Sequence, residues 1–243
     1  MKLAVITAAH KPYSGALMER SARRVGIEVF RFAEYQEWPK DYRVGKLIDG
    51  ARSIAGLPAN VTHVMGTDSS DTLFLASGEQ IVHTYEAIRD GYEEPFVLIS
   101  AEKNCYPKPE LAPQFVARAR TPWHFLNSGA WITRREEAEA AMLEAAGYAE
   151  YCDQLCWSLA HLAQKLSLTV HLDQECCVFQ SMYLADPDEL SVSSGRLYNR
   201  TTWTWPCHAH WNGTRNAGSP SRDGVWACLG IAPRLQAVKE EAA

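Results

Sequence analysis

No apolar run in this chain approaches the ~20 residues that a membrane-spanning helix needs. The amino terminus, Met1-Lys2-Leu3-Ala4-Val5-Ile6-Thr7, is too short for a signal-peptide core and reads as a first strand. A soluble, non-secreted protein is therefore expected. Positive charge is not in excess either. Against 29 Asp and Glu stand 24 Lys and Arg, a formal charge of -5, so nothing draws the whole chain to nucleic acid or an anionic membrane. A cysteine framework is also missing. Seven cysteines make an odd number, and neither Cys152-x3-Cys156 nor Cys176-Cys177 is a strong zinc pattern, so buried reduced thiols are expected. With no internal repeat, linker or low-complexity tract, the simplest organisation is one domain over residues 1–232 and a polar tail over 233–243.

What is present is an ordinary globular composition, 47% apolar and 22% charged. Leu3–Thr7, Ile27–Phe32, Val61–Met65 and Glu94–Ser100 read as buried strands. Ser14–Arg24, with Ser14 as its cap, Val44–Ala55, Gly78–Arg89, Arg134–Ala146 and Asp153–Lys165 read as helices, the last with an apolar face at positions 155, 159, 162 and 166. Ala130–Ile132, Ser167–Leu172 and Cys177–Met182 look like further strands, and Tyr198–His210 is aromatic and irregular. Strands alternating with helices predict an α/β fold, a mainly parallel sheet with helices on both faces.

The strand Val61–Met65 runs directly into Gly66-Thr67-Asp68-Ser69-Ser70-Asp71. In an open α/β sheet, ligands sit at the carboxyl ends of the strands. Two carboxylates there repel each other unless a cation lies between them, so Asp68 and Asp71 point to a divalent metal. The same D-x-x-D spacing also occurs in ordinary turns and helix caps. A third candidate ligand, His210, follows an extended stretch and precedes the turn Asn212-Gly213, which lets it fold back over the sheet edge. Two Asp oxygens and an imidazole, completed by diphosphate oxygens, suit Mn²⁺ and also admit Mg²⁺.

Several short motifs recur in one order. They are Asp68-Ser69-Ser70-Asp71; Ser100-Ala101-Glu102 with Cys105-Tyr106-Pro107; Phe125-Leu126-Asn127-Ser128-Gly129; and Asp153-Gln154-Leu155. Lys165-Leu166-Ser167-Leu168, Leu172-Asp173 and Val178-Phe179-Gln180 follow, and then Pro206 with His210 and Asn212-Gly213. Together they resemble the glycosyltransferase domain of procollagen lysyl hydroxylases and related collagen glycosyltransferase-type enzymes, roughly over residues 2–215. That family has the nucleotide-sugar-binding fold called GT-A. The resemblance implies that Asp68, Asp71 and His210 bind the metal and that Asp153 and Gln154 face the donor sugar near the reacting carbon. Lys46 would lie near the nucleotide, Asn127 beside the sugar, and Trp38 against the nucleotide or its pocket wall. Thr67, Asn212 and Gly213 belong to the same donor side, and Arg215 supplies charge for the diphosphate. Plainer readings stand beside these: Lys46 as a solvated helix residue, Asn127-Ser128-Gly129 as a turn, and Asp173 as a buried structural carboxylate.

The departures from the family pattern bear on selectivity. Ser70 stands where an aromatic stacks on the base, Tyr106 replaces a Trp, and the acidic run before Asp153 is reduced to Glu150-Tyr151-Cys152. Trp211 follows His210 in place of Gly, and Asn216 stands where a Lys is expected. No counterpart of the oxygenase half is present, so lysine hydroxylation is not expected. The function implied is transfer of a hexose, of the glucose or galactose class, from a UDP-sugar to a hydroxyl acceptor. Hydroxylysine-like groups, glycans, small molecules and a modified nucleobase in DNA all remain open as that acceptor. Lys103, Lys108, Arg118, Arg120, Arg134 and Arg135 are candidates for a local basic groove, and of Trp123, Trp131, Trp203, Trp205 and Trp211 no more than two are expected to bind ligand. A degenerate module holding nucleotide or glycan without turnover is the alternative, and a nucleotidyltransferase or sugar-nucleotide hydrolase a third reading. The setting expected is intracellular or viral.

Overall fold

Strands that are apolar on both sides need cover on both sides, and the connecting helices supply it. The computed structural model describes residues 1–10, 16–35, 42–92, 96–148, 151–163, 169–193, 196–213 and 221–228. The expected Ser14 cap, Trp38, Arg215, Asn216 and the tail after 232 lie outside them.

The first half runs β1 (Leu3–His10), α1 (Ala16–Arg24), β2 (Glu28–Tyr35), α2 (Tyr42–Ser53), β3 (His63–Thr67), β4 (Thr72–Phe74), α3 (Gly78–Arg89) and β5 (Phe96–Glu102). Then come α4 (Ala112–Val116), β6 (Phe125–Arg134), α5 (Arg135–Ala146), α6 (Asp153–Ala163), β7 (Thr169–Asp173) and β8 (Phe179–Ser181). The order ends with β9 (Leu190–Ser193), β10 (Arg196–Asn199), β11 (His208–His210) and α7 (Arg222–Cys228). Six strands form one sheet in the order β2-β1-β3-β6-β5-β7. Its pairs are parallel except where β6 runs antiparallel between β3 and β5. The mainly parallel α/β sheet expected from the sequence is therefore present.

Alternate residues of each strand feed opposite apolar layers, as the period of two dictates. Ala4, Ile6, Val64, Val97, Ile99 and Trp131 join Leu47 and Ala51 of α2, Ala138, Ala141 and Met142 of α5, and Trp157 of α6. Leu3, Val5, Met65, Phe96, Leu98 and Ile132 meet Met18 and Ala22 of α1 and Ile81, Val82 and Tyr85 of α3 on the other side. Among the described residues, no helix is long and apolar enough to cross a membrane. Cys105, Cys152, Cys156, Cys176, Cys177 and Cys207 are free thiols.

Three expectations need correction. The strand expected at 130–132 is ten residues long and begins at Phe125, so Asn127-Ser128-Gly129 is strand rather than turn. Pairing to β3 on one side and β5 on the other holds these small and polar residues extended. The stretch 198–210 is not irregular throughout, because His208–His210 is a strand lying antiparallel to β4 and parallel to β8. Finally, the apolar face expected at 155, 159, 162 and 166 is only part of what α6 buries: Leu155 is buried, Leu162 packs half-buried against the core, and position 166 lies outside the described residues. Residues Asp153 to Ser158 of the helix are all buried, because its first turns sit among α2, α5 and β6. Asp173 ends β7, fully enclosed, and its carboxylate accepts the backbone N–H groups of Cys177, Val178 and Phe179 at 2.9, 2.7 and 2.8 Å. That shapes the turn into β8, while burial pushes its pKa up to about 6.

His208 lies between the rings of Phe74 and Phe179, with Nε2 at 3.0 Å from Thr67 Oγ1. Burial first, and then the neighbouring His210, push its pKa from 6.5 down to about 3. A base whose pKa is depressed on folding stabilises the fold above its unfolded pKa, and that contribution is lost as the pH falls towards the folded value. The His208 share of the stability to urea should therefore decline from about pH 6.5 towards pH 4, against the opposite trend of the raised Asp173 carboxyl. His208→Gln should flatten the decline by up to ~1.4 kcal/mol per pH unit. An unchanged slope would show that this imidazole does not carry the acid sensitivity.

Candidate active site

At the carboxyl end of β3 the chain turns out of the sheet through Asp68 and returns at β4. Backbone bonds pin both sides of that turn: Asp68 N–H donates to the Gly129 carbonyl and Trp211 N–H to the Asp71 carbonyl, each at 2.9 Å. The hydroxyls of Thr7 and Thr72 donate to the carbonyls of Thr67 and Asp68 at 2.7 Å. The β4–β11 register then sets His210 opposite Thr72, beside Asp71. His210 Nε2 lies 3.4 Å from Asp71 Oδ1 and 3.7 Å from Asp68 Oδ2. One ligand atom from each of the three residues lies within 4.8 Å of the other two, and this is the one such cluster among the described residues.

The three side chains are coupled electrostatically. Burial lifts the Asp71 carboxyl, but His210 and the more distant Lys46 outweigh it and hold it below the ordinary range. Burial likewise depresses the His210 imidazole, yet Asp71, Asp68 and Glu102 together raise it. Two hard carboxylates and one imidazole with ligand atoms this close are a set that fits a divalent ion.

Lys46, on α2, places Nζ 2.5 Å from Asp68 Oδ1 and 3.3 Å from Asp153 Oδ2. Asp153 opens α6 and also accepts from Ser128 Oγ at 3.1 Å. The reading of Lys46 as a solvated helix residue does not hold, since it links the Asp68 turn to α6. Gln154 gives both amide hydrogens away, to Glu102 Oε1 at 2.8 Å and the Tyr106 carbonyl at 3.0 Å. Thr67 is buried and its hydroxyl lies against Thr72 and His208, while it borders a small void with Lys46 and Asp153.

A cleft of about 480 Å³ opens beside the three clustered side chains, lined also by Glu102, Asn104, Tyr106, Asn127, Gln154, Tyr183, Asn212 and Gly213. Gly213 has φ +68°, and a Cβ there would fall 2.6 Å from the Tyr183 ring. Glu102 is the site residue the sequence reading left without a role, although its motif Ser100-Ala101-Glu102 was visible. It is 3% exposed, burial raises its pKa against the opposing pull of nearby amides, and it accepts bonds from Asn127, Gln154 and Asn212.

Other candidates are dispersed. Trp123, Trp131 and Trp211 are core residues, whereas Trp203 and Trp205 are 78% and 40% exposed. The candidate basic residues do not all lie together. Arg134 pairs with Glu86 and Arg135 with carbonyls at the far end of β6, while Lys103 is paired with Glu189 and Arg120 with Glu175. A larger hollow of about 620 Å³ lies at that far end, where Glu86 is already bonded to both His63 and Arg134.

Gly129 limits how close the ligands come: a Cβ there would lie 2.1 Å from His210 Cε1 and 2.8 Å from Asp68 Oδ2. Gly129→Ala should therefore abolish Mn²⁺ uptake in calorimetry while the metal-free protein still melts cooperatively. Undiminished uptake would show that the cluster does not need that space.

Comparison with known proteins identifies the family. Residues 1–218 match the family model described as the PLOD GT domain. An uncharacterized protein of Acanthamoeba polyphaga mimivirus is 29% identical over 146 residues, 60% of this chain and 30% of its own length. Procollagen-lysine,2-oxoglutarate 5-dioxygenase of Drosophila melanogaster is 26% identical over 228 residues, 87% of this chain and 30% of its own length. The chain thus spans less than a third of these curated relatives. The crystal structure of a glycosyltransferase involved in glycosylation of the major capsid of PBCV-1 matches with a TM-score of 0.51 at 9% identity, over 96% of this chain and 100% of that one. On the match over residues 1–218, the chain belongs to the PLOD GT domain family, a glycosyltransferase domain of GT-A fold.

Proposed function

We propose that this chain is a metal-dependent glycosyltransferase that moves a hexose, of the glucose or galactose class, from a UDP-sugar to a hydroxyl acceptor. The observation that carries the reading is the convergence of Asp68, Asp71 and His210 beside the cleft. These three would hold Mn²⁺, with Mg²⁺ as the second choice, and the bound ion would supply positive charge for the departing diphosphate.

In the transfer, the bond between the anomeric carbon and a phosphate oxygen breaks, the acceptor oxygen bonds to that carbon, and the acceptor hydroxyl gives up its proton. Lys46 is the described cation nearest the Asp68 carboxylate, and with Arg215 it would donate to phosphate oxygens as their charge grows. Asp153, at the first turn of α6 and oriented by Ser128 and Lys46, would take the acceptor proton if the carbon inverts. If configuration is retained, it would steady the positive sugar instead. Gln154 shapes the wall on the sugar side, its amide held by Glu102 and Tyr106. Asn127, Asn212 and Gly213 border the same cleft, and Thr67 and Trp38 complete the proposed donor side.

The Drosophila relative's name refers to procollagen lysine, which favours a hydroxylysine-like acceptor. The dispersal of the basic residues weakens the case for a nucleobase in DNA. The mimiviral relative supports an intracellular or viral setting.

Incubation with UDP-glucose or UDP-galactose and Mn²⁺ should release UDP, and chelation should stop it. Asp153→Asn should lower turnover by about 10²–10⁴-fold while Mn²⁺ binding persists. If no nucleotide sugar turns over, with or without acceptors, the reading fails. Free sugar as the sole product, acceptors being abundant, would make the chain a hydrolase.

A further inference from the structure

Glu102 is a buried carboxylate at the end of β5, outside the three clustered side chains, and three amides donate hydrogen bonds to it. Asn127 Nδ2 and Gln154 Nε2 donate to its Oε1 at 3.1 and 2.8 Å, and Asn212 Nδ2 donates to its Oε2 at 2.9 Å. The three amides come from β6, from α6 and from the turn after β11, so one carboxylate ties together three segments that form the cleft.

An ionised carboxylate only accepts hydrogen bonds, so every amide facing it must present its NH₂ end. For Asn127 this turns Oδ1 the other way, where it accepts from Gly129 N–H at 3.0 Å and lies 3.1 Å from His210 Nδ1. An amide oxygen has no proton to give, so the hydrogen in that contact belongs to His210 Nδ1. A neutral His210 then has its lone pair on Nε2, the atom that lies 3.4 and 3.7 Å from the two aspartates. The opposite tautomer would require Asn127 to turn over, setting its oxygen against Glu102 and its NH₂ against Gly129 N–H.

We propose that Glu102 is a positioning residue for the metal centre: through Asn127 it fixes the tautomer of His210 that leaves Nε2 free to bind the ion. This rests on the metal reading above. It gives a reason for burying a carboxylate that, among the described residues, accepts its side-chain hydrogen bonds from three amides, since groups behind a metal-binding histidine commonly set its proton and its orientation. Gln154 and Asn212, bonded to the same carboxylate, tie the two sides of the cleft to that orientation.

The test is titration of the metal-free protein with Mn²⁺, read by calorimetry, for the wild type, Glu102→Leu, Glu102→Gln, Asn127→Leu and the double variant Glu102→Leu/Asn127→Leu. Glu102→Leu should raise the dissociation constant by about tenfold or more, with a metal-free thermal transition still present. Glu102→Gln keeps one accepting end and should lose less. If Glu102 acts through Asn127, the double variant should bind no more weakly than Asn127→Leu alone. Wild-type affinity in Glu102→Leu, or losses that multiply in the double variant, overturn the inference and leave the metal reading standing. Absence of Mn²⁺ uptake by the wild type overturns both. Should Glu102→Leu lose its metal-free transition, Glu102→Gln decides, and a dissociation constant equal to the wild type's refutes the proposal.

Discussion

Two carboxylates at the end of one strand repel each other, and in this chain an imidazole and an ammonium reach them from elsewhere in the fold. The imidazole comes on β11, a strand of three residues whose position is secured by β4 on one side and β8 on the other. The ammonium comes from Lys46 on α2. Neither partner is a sequence neighbour of Asp68, so the charge balance of the site exists only once the sheet is complete. Gly129 has the corresponding steric role on β6, where any side chain would displace the imidazole.

Around this cluster the structure uses polar side chains where an apolar core would be more stable. Glu102, Asn127, Gln154, Asn212 and Ser181 are buried, and they bond to one another at 2.7–3.1 Å. Partly satisfied networks of this kind are costly, and fully satisfied ones hold their members rigidly. A rigid polar wall beside the proposed cation site is what transfer from a charged donor calls for, because donors already in place need no reorganisation when charge develops. Lys46 extends the network to Asp153, so the proposed metal and sugar sides share one counter-charge.

Much of the scaffold was legible in the sequence because it follows from local chemistry. The near-continuous apolar runs of β1, β3 and β5 mark strands buried on both faces, and the Gly78–Arg89 helix has the bounds its pattern predicts. Asp68 and Asp71 were legible because they follow directly from a strand end. Other features were not. The polar middle of β6 reads as a turn, since Asn, Ser and Gly favour turns when nothing pairs with them. The burial of Asp153 and Gln154 has no apolar pattern to announce it, because hydrogen bonds to Glu102 and Ser128 hold them. The six basic residues look like a set by type, yet the length of β6 puts some of them at the opposite end of the sheet from the others.

By itself, then, the sequence determined the class of fold, the order of its main elements and the residue types able to bind a cation and a diphosphate. Periodicity and side-chain chemistry are local properties, readable one segment at a time. The tertiary structure decided which of those residues meet. His210 reaches Asp68 and Asp71 through strand register, and Glu102 gathers amides from three segments by lying where β5, β6 and α6 converge. Such contacts depend on distances between residues far apart in the chain, and those distances are set only when the whole sheet has formed.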